Sequence, residues 1–249
     1  MTDNLASIAL VTGANAGIGA AVARRLAEDG HRVIVAGRRL EAIETEANAI
    51  AAATGASIQP LLLDVEDPES VESLVERLPA PWRSIDVLVN NAGHDRGGRK
   101  KFHEADPADF RSVIETNLIG LVHVTHAVIQ GMVERNVGHI INIGSVQGTI
   151  TYPRAAVYTA SKFGIHGFSE CLRIDYVNTA IRVTEIMPGL VQTQFAENRW
   201  GDAERATSFY AEFKARLWPA DVANAVVYAL SQPPHVDVGQ IVLQPGGRN

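Results

Sequence analysis

Ile8-Ala-Leu-Val-Thr-Gly13-Ala-Asn-Ala-Gly17-Ile-Gly19 decides how this chain reads. Ile8 to Val11 is an unbroken apolar run, as a strand buried on both faces requires. From Ile18 to Asp29 the apolar residues Ile18, Val22 and Leu26 recur at i, i+4 and i+8, one face of a helix. Between strand and helix lies a glycine-rich turn. Glycines let backbone N–H groups approach a pyrophosphate, which then sits on a helix N-terminus. The spacing is G-x-x-x-G-x-G, not the general dinucleotide pattern G-x-G-x-x-G. A tight strand–helix connection alone would also use such glycines. The placement points to phosphate, with Gly13, Asn15, Ala16, Gly17, Ile18 and Gly19 as the candidate cradle.

The same grammar repeats outward. Strands are expected at 33–36, 61–63, 86–89, 139–143, 181–186 and 241–243. Helices are expected at 41–53, 68–78, within 107–135, and at 155–178 and 219–231. Near-continuous apolar strands alternating with helices predict a Rossmann-like, doubly wound α/β fold: a seven-stranded parallel sheet with helices on both faces. No linker or 20–50-residue repeat interrupts it, so a single domain over 1–249 is expected. Residues 1–106 would mainly hold a cofactor and 107–249 the catalytic half. The weak pattern from Gly189 to Trp218 reads as a lid over the carboxyl edge of the sheet.

Composition excludes several classes. The 249 residues are 46% hydrophobic and 20% charged, an ordinary globular balance. Twenty-two Lys+Arg against 28 Asp+Glu give a net charge of −6, which argues against a nucleic-acid partner. The uncharged run Asn4 to Ala23 holds Ser7, Thr12, Asn15 and three glycines, too polar to span a bilayer. Arg24 and Arg25 follow it rather than precede it, unlike a signal peptide. A cytoplasmic protein with no membrane partner is expected. The one cysteine, Cys171, excludes an internal disulfide and reads as a small buried hydrophobe. Eight histidines show no metal-ligand spacing. His123 and His126, at i and i+3, read as a solvent or subunit face.

The end of the second strand selects the nucleotide. An NAD site usually carries an acid there for the ribose 2′-hydroxyl. Here the strand ends Ala36-Gly37-Arg38-Arg39. Guanidinium groups match a 2′-phosphate, so NADP(H) is the expected cofactor. The plainer reading of Arg38 and Arg39 is solvated charge. Asp64 would hydrogen-bond an adenine or cap a helix.

These residues, taken with Asp64-Val65, Asn90-Asn91-Ala92-Gly93, Asn117, Ser145, Tyr158-x-x-x-Lys162 and Pro188-Gly189, resemble the short-chain dehydrogenase/reductase family over essentially the full length. Gly37-Arg38-Arg39, Gly131 to Ser145 and Ile186 to Val191 are similar to its NADP-dependent 3-hydroxy acid, serine-type branch. The resemblance implies an NADP-dependent oxidoreductase acting on CH–OH, with a homodimer or homotetramer built on the helices around 108–133 and 155–178. It implies that Val65, Asn91, Ala92, Gly93, Pro188, Gly189, Val191 and Thr193 line the cofactor. Asn90, Ala92 and Gly93 would run beside its ribose.

Tyr158 and Lys162 lie four apart and share a helix face. A nearby lysine ammonium and an oxidised nicotinamide both favour phenolate, so Tyr158 is expected to work with a lowered pKa as general acid/base. The plain alternative is a packed aromatic. Lys162 would also hold the nicotinamide ribose, as in the family. Ser145 follows strand five and would donate a hydrogen bond to the substrate oxygen. In the family the helix kinks at the position of Asn117 and feeds a proton relay; the alternative is a helix–helix hydrogen bond. The basic loop His94 to Lys101, with Arg96, Arg154 and Arg199, would attract a small acidic substrate, or be solvated surface charge. A reductase of neutral ketones or aldehydes, and a non-catalytic NADP-binding regulator on the same fold, are the competing readings.

Overall fold

The computed structural model describes residues 7–247; the start of the uncharged run, Asn4 to Ala6, lies outside the described residues. Strands β1 (Ile8–Thr12), β2 (Arg32–Gly37), β3 (Ile58–Leu62), β4 (Val87–Asn90), β5 (Gly138–Ile143), β6 (Ile181–Pro188) and β7 (Gln240–Leu243) build one sheet. Its order is β3-β2-β1-β4-β5-β6-β7, and every pairing is parallel. Successive side chains of β1 alternate between two cores. Ala9 and Val11 meet Val22, Leu26 and Ile43 on one face, contributed by α1 (Gly17–Glu28) and α2 (Leu40–Thr54), with α10 (Pro219–Leu230) beside them. Ile8 and Leu10 meet Leu74, Val124 and Met132 on the other, from α4 (Leu74–Arg77) and α6 (Leu121–Arg135). Double-sided burial is why the strands read as continuous apolar runs.

Boundaries moved in several places. β3 starts at Ile58, three residues before the expected run, because Ile58, Gln59 and Pro60 pair with β2. The helix expected over 68–78 breaks at Ser73 into α3 (Pro68–Glu72) and α4. The Ser73 hydroxyl donates to Glu69 O at 2.7 Å, a local bond that competes with the helix ladder. The stretch 107–135 holds α5 (Pro107–Ile114), a π-helical turn Glu115–Gly120, and α6. By length and composition it could cross a membrane, but half of its most apolar window is buried, with Val124, Val128 and Met132 against the sheet. The weak stretch 189–218 contains two short helices, α8 (Phe195–Trp200) and α9 (Ala203–Ala211). Cys171 is exposed, not buried: α7 (Ala156–Asp175) turns Ser161, Ile165 and Ser169 inward and that position outward.

A buried polar row ties the sheet to its helices. Asn90 Nδ2 donates to Asn142 Oδ1 on β5 and to Thr125 Oγ1 on α6, each at 2.9 Å. Asn142 Nδ2 donates to Ser169 Oγ on α7, also at 2.9 Å. Asn90 is therefore spent here and is not on the cavity wall as expected. Asn142→Ala leaves Asn90 and Ser169 short of partners in a dry interior. It should lower the unfolding free energy by about 2 kcal/mol, read from the urea midpoint at unchanged m-value.

Candidate active site

One cavity of about 1100 Å³ runs along the carboxyl edge of the sheet. The strand order reverses between β1 and β4, the crevice where ligands bind in open α/β sheets. Thr12 Oγ1 accepts the backbone N–H of Asn91 (3.0 Å) and of Ala92 (3.1 Å). The Asn91 carboxamide donates back to Thr12 O (2.9 Å) and Gly13 O (3.2 Å). This lock holds the glycine turn open. Gly17 has φ 57, in the left-handed region that only glycine enters freely. A Cβ at Gly19 would overlap the Gly13 carbonyl oxygen, so Gly19 stands behind the wall and permits close strand–helix packing.

Gly13, Asn15, Ala16, Gly17 and Ile18 line the first stretch of cavity, with Arg38, Arg39, Asp64 and Val65 beyond. The Arg38 side chain is 55% exposed and only loosely paired, its Nη1 3.7 Å from Glu66 Oε1. Asp64 closes a local turn, its Oδ1 accepting Glu66 N at 3.0 Å. The cap of the following helix is Asp67 instead. Asn91, Ala92, Gly93, Pro188, Gly189, Val191 and Thr193 complete this part of the wall. An open-ended nucleotide channel without an acid at the end of β2, but with two guanidinium groups, fits a dinucleotide carrying a 2′-phosphate.

Ser145, Tyr158 and Lys162 meet at the centre. Ser145 Oγ accepts Gln147 N at 3.1 Å, which leaves its proton free to donate. Lys162 is buried and donates from Nζ to Ile143 O at 2.9 Å. Burial pulls its amine down to about 8, and the Glu185 carboxylate opposes that pull. The Tyr158 phenol is pushed above its ordinary value, not below it. Burial is the main cause and Asp95 adds to it; Ser145, Arg199 and Arg99 work against them. The Lys162 ammonium stands 5.7 Å from the Tyr158 ring centre and serves the Ile143 carbonyl, so it is not among the groups that oppose the effect of burial on the phenol.

Asn117 sits in the π-helical turn, off the cavity wall. Its Oδ1 accepts His94 N at 2.9 Å, and its Nδ2 donates to His94 O at 2.9 Å and Ser161 Oγ at 3.2 Å. The side chain thus stitches the loop after β4 to α7, the helix–helix reading. Arg96 is exposed on the cavity rim. Arg154 is exposed with φ 61 and lies off the wall. Arg199 is buried, its Nε 2.8 Å from Asp95 Oδ2, with both side chains under a tenth exposed. Arg99 lies over the Tyr152 ring at 5.9 Å. Arg99 Nε and Arg199 Nη1 are buried without a hydrogen-bond acceptor.

Sequence reasoning missed Asp95, Gln147 and Tyr210. Gln147 adjoins Ser145 and was within reach. Asp95 and Arg199 lie a hundred residues apart, with no periodic signal joining them. The Tyr210 hydroxyl donates to Val191 O (3.1 Å) and Thr193 O (3.2 Å) and accepts Thr193 N (3.3 Å).

A family model described as short chain dehydrogenase matches residues 7–204. The NADP-dependent 3-hydroxy acid dehydrogenase YdfG of Salmonella typhi is 44% identical over 240 residues, 96% of this chain and 94% of that one. Sulfoacetaldehyde reductase 2 of Chromohalobacter salexigens is 36% identical over 242 residues, 97% and 95% of the two chains. The closed form of serine dehydrogenase complexed with NADP+ superposes with a TM-score of 0.88 at 42% identity, covering 95% and 94%. With its sheet order, glycine turn and Ser145–Tyr158–Lys162 centre, this chain belongs to the short-chain dehydrogenase family.

Tyr210→Phe removes every bond that the hydroxyl makes to the 191–193 backbone. Limited proteolysis should then cut faster within 189–218, while the thermal midpoint moves by only a few degrees.

Proposed function

We propose that this chain, an NADP(H)-dependent oxidoreductase acting on alcohol groups, works on a small 3-hydroxy acid or the matching carbonyl acid, with Tyr158 as general acid/base. The carrying observation is the pair of guanidinium groups, Arg99 and Arg199, on the wall of the cavity that holds Tyr158, with the one carboxylate Asp95 paired to Arg199 behind that wall. Two cations against one anion leave a net positive pocket. The buried, unpaired Arg99 Nε and Arg199 Nη1 call for a further anion. The 3-hydroxy acid named for the first relative supports this choice. Arg199 and Arg96 remain in the proposed substrate set; Arg154 does not.

When bound, the cofactor exchanges a hydride at nicotinamide C4 with the substrate carbon. The residues do the rest. Tyr158 gives a proton to the developing substrate alkoxide or takes one from the alcohol. Burial stores it as phenol, the form needed for carbonyl reduction. Ser145 donates to the same substrate oxygen. Lys162 holds the ribose hydroxyls and favours phenolate when the proton leaves. Arg38 and Arg39 take the 2′-phosphate, and Gly13 to Ile18 the pyrophosphate. The opened turn at Asn117 offers backbone to a proton relay. Phe195, Phe209 and Phe213 form an aromatic wall, which favours a neutral ketone or aldehyde as the second reading. A homodimer or homotetramer is supported by Phe163 (42% exposed) and Ile174 (71%) on the outer face of α7.

The test is NADPH oxidation over a panel of 3-oxo acids, aldehydes and ketones, with NADP-coupled oxidation of 3-hydroxy acids beside it. Tyr158→Phe should lower kcat by roughly 10²–10⁴. Arg99→Gln should raise KM for acids at least ~10-fold and leave neutral substrates unchanged. Equal loss on both substrate types would favour the neutral reading. Tight NADPH binding without turnover on any member would make the protein a regulator.

A further inference from the structure

Glu185 lies in the middle of β6, and its side chain is wholly buried. A buried carboxylate is costly unless charge and hydrogen bonds answer it. Its Oε2 lies 2.8 Å from His166 Nδ1, on a ring that is 27% exposed at the surface of α7. Its Oε1 is buried without a hydrogen-bond partner and points at the turn under the active site. A Cβ on Gly144 would overlap Oε1. One on Gly148 would stand 3.5 Å from it and 3.1 Å from the Lys162 carbonyl oxygen. Gly144 joins Ile143, whose carbonyl holds the Lys162 ammonium, to Ser145. The floor of the centre is thus kept bare of side chains where this carboxylate lies.

We propose that Glu185 is a positioning residue for Lys162: its buried carboxylate, bonded by His166 from the solvent side, lies against the Gly144 turn whose preceding carbonyl, Ile143 O, seats the ammonium, and so favours the ammonium in that seat. This rests on Lys162 acting as described above. Lys162 and His166 are i and i+4 on α7, so both can address one residue of β6. The groups that bear on Glu185 are few. From α7 come Lys162, His166 and Arg173, with Glu170 beyond, bonded to Arg173 and to Gln240. From β5 comes neutral Asn142 and from β7 neutral Gln240, each in register with Glu185. Burial drives the Lys162 amine down to about 8, and Glu185 is the group opposing that. Removing the negative charge must therefore move it lower still. Burial pushes the Glu185 carboxyl above its ordinary value, and His166, Lys162 and Arg173 oppose that rise.

The sign follows. The ammonium is present below the amine pKa and lost as pH rises through it. Glu185→Gln should bring that loss to lower pH by about one unit, since a nearby opposite charge favours the charged form. His166→Leu, which strips the carboxylate of its donor, should move it the same way. His166→Asn, which can still donate to Oε2, should restore the native position. The direct readout is the pH dependence of acylation of Lys162 by a small amine reagent, followed by peptide mass spectrometry, without cofactor. The second is NADPH affinity by its fluorescence from pH 6 to 9. Near pH 6 all variants should bind NADPH alike; near pH 8 Glu185→Gln should bind about fivefold more weakly, and near pH 9 about tenfold. Superimposed acylation curves for the native protein, Glu185→Gln and His166→Leu would overturn the inference. If Glu185→Gln does not fold, the two His166 variants decide it alone. A shifted acylation curve with unshifted NADPH affinity would instead overturn the role given to Lys162 at the ribose.

Discussion

Everything at the site hangs on the reciprocal lock between Thr12 and Asn91. β1 and β4 are neighbours in the sheet, yet their outgoing chains turn to opposite faces. Left alone, the gap between them would close with side chains or lose its shape. The hydroxyl of Thr12 accepts two amide hydrogens of the 91–92 backbone, and Asn91 repays it with two donors to the glycine turn. Four hydrogen bonds across 80 residues of sequence fix the groove before any ligand arrives. Such preorganisation means that the cost of ordering is met on folding, not on binding.

The site then layers charge by depth. Arg38 and Arg39 stand near solvent, where a flexible cation can meet a phosphate at little desolvation cost. Lys162 and Glu185 are buried under the floor, and Asp95 is buried against Arg199 of α8. Buried charges of this kind shift one another strongly. Tyr158 is held as phenol chiefly by its own burial, with Asp95 adding to it and Ser145, Arg199 and Arg99 opposing it.

The fold was legible because its signal is local. A strand buried on both faces shows as an apolar run, and Ile8–Val11, Val33–Ala36, Val87–Val89 and Ile140–Ile141 supply such runs within β1, β2, β4 and β5. β3 was cut short because Gln59 and Pro60 interrupt that signal on a strand paired only with β2. α8 and α9 were invisible because they bury only a narrow stripe. The motif residues Ser145, Tyr158 and Lys162 were legible from resemblance, and the structure brings them together. The electrostatics were not. The direction of the Tyr158 shift is set by burial that no spacing encodes, with Asp95 adding to it and Arg99 and Arg199, remote in sequence from Tyr158, opposing it. Cys171 and Arg154 failed for the same reason: which way a side chain turns is set by packing against elements remote in sequence.

Ala196, Ala206 and Tyr210 form a small apolar cluster of their own, separate from the two cores of the sheet. Leu190, Trp200 and Phe209 close around it. Because the Tyr210 hydroxyl from this cluster is bonded to the 191–193 backbone, and Val191, Thr193, Phe209 and Tyr210 line one cavity, a residue exchanged in the cluster is felt at the nucleotide groove as well as beside Tyr158.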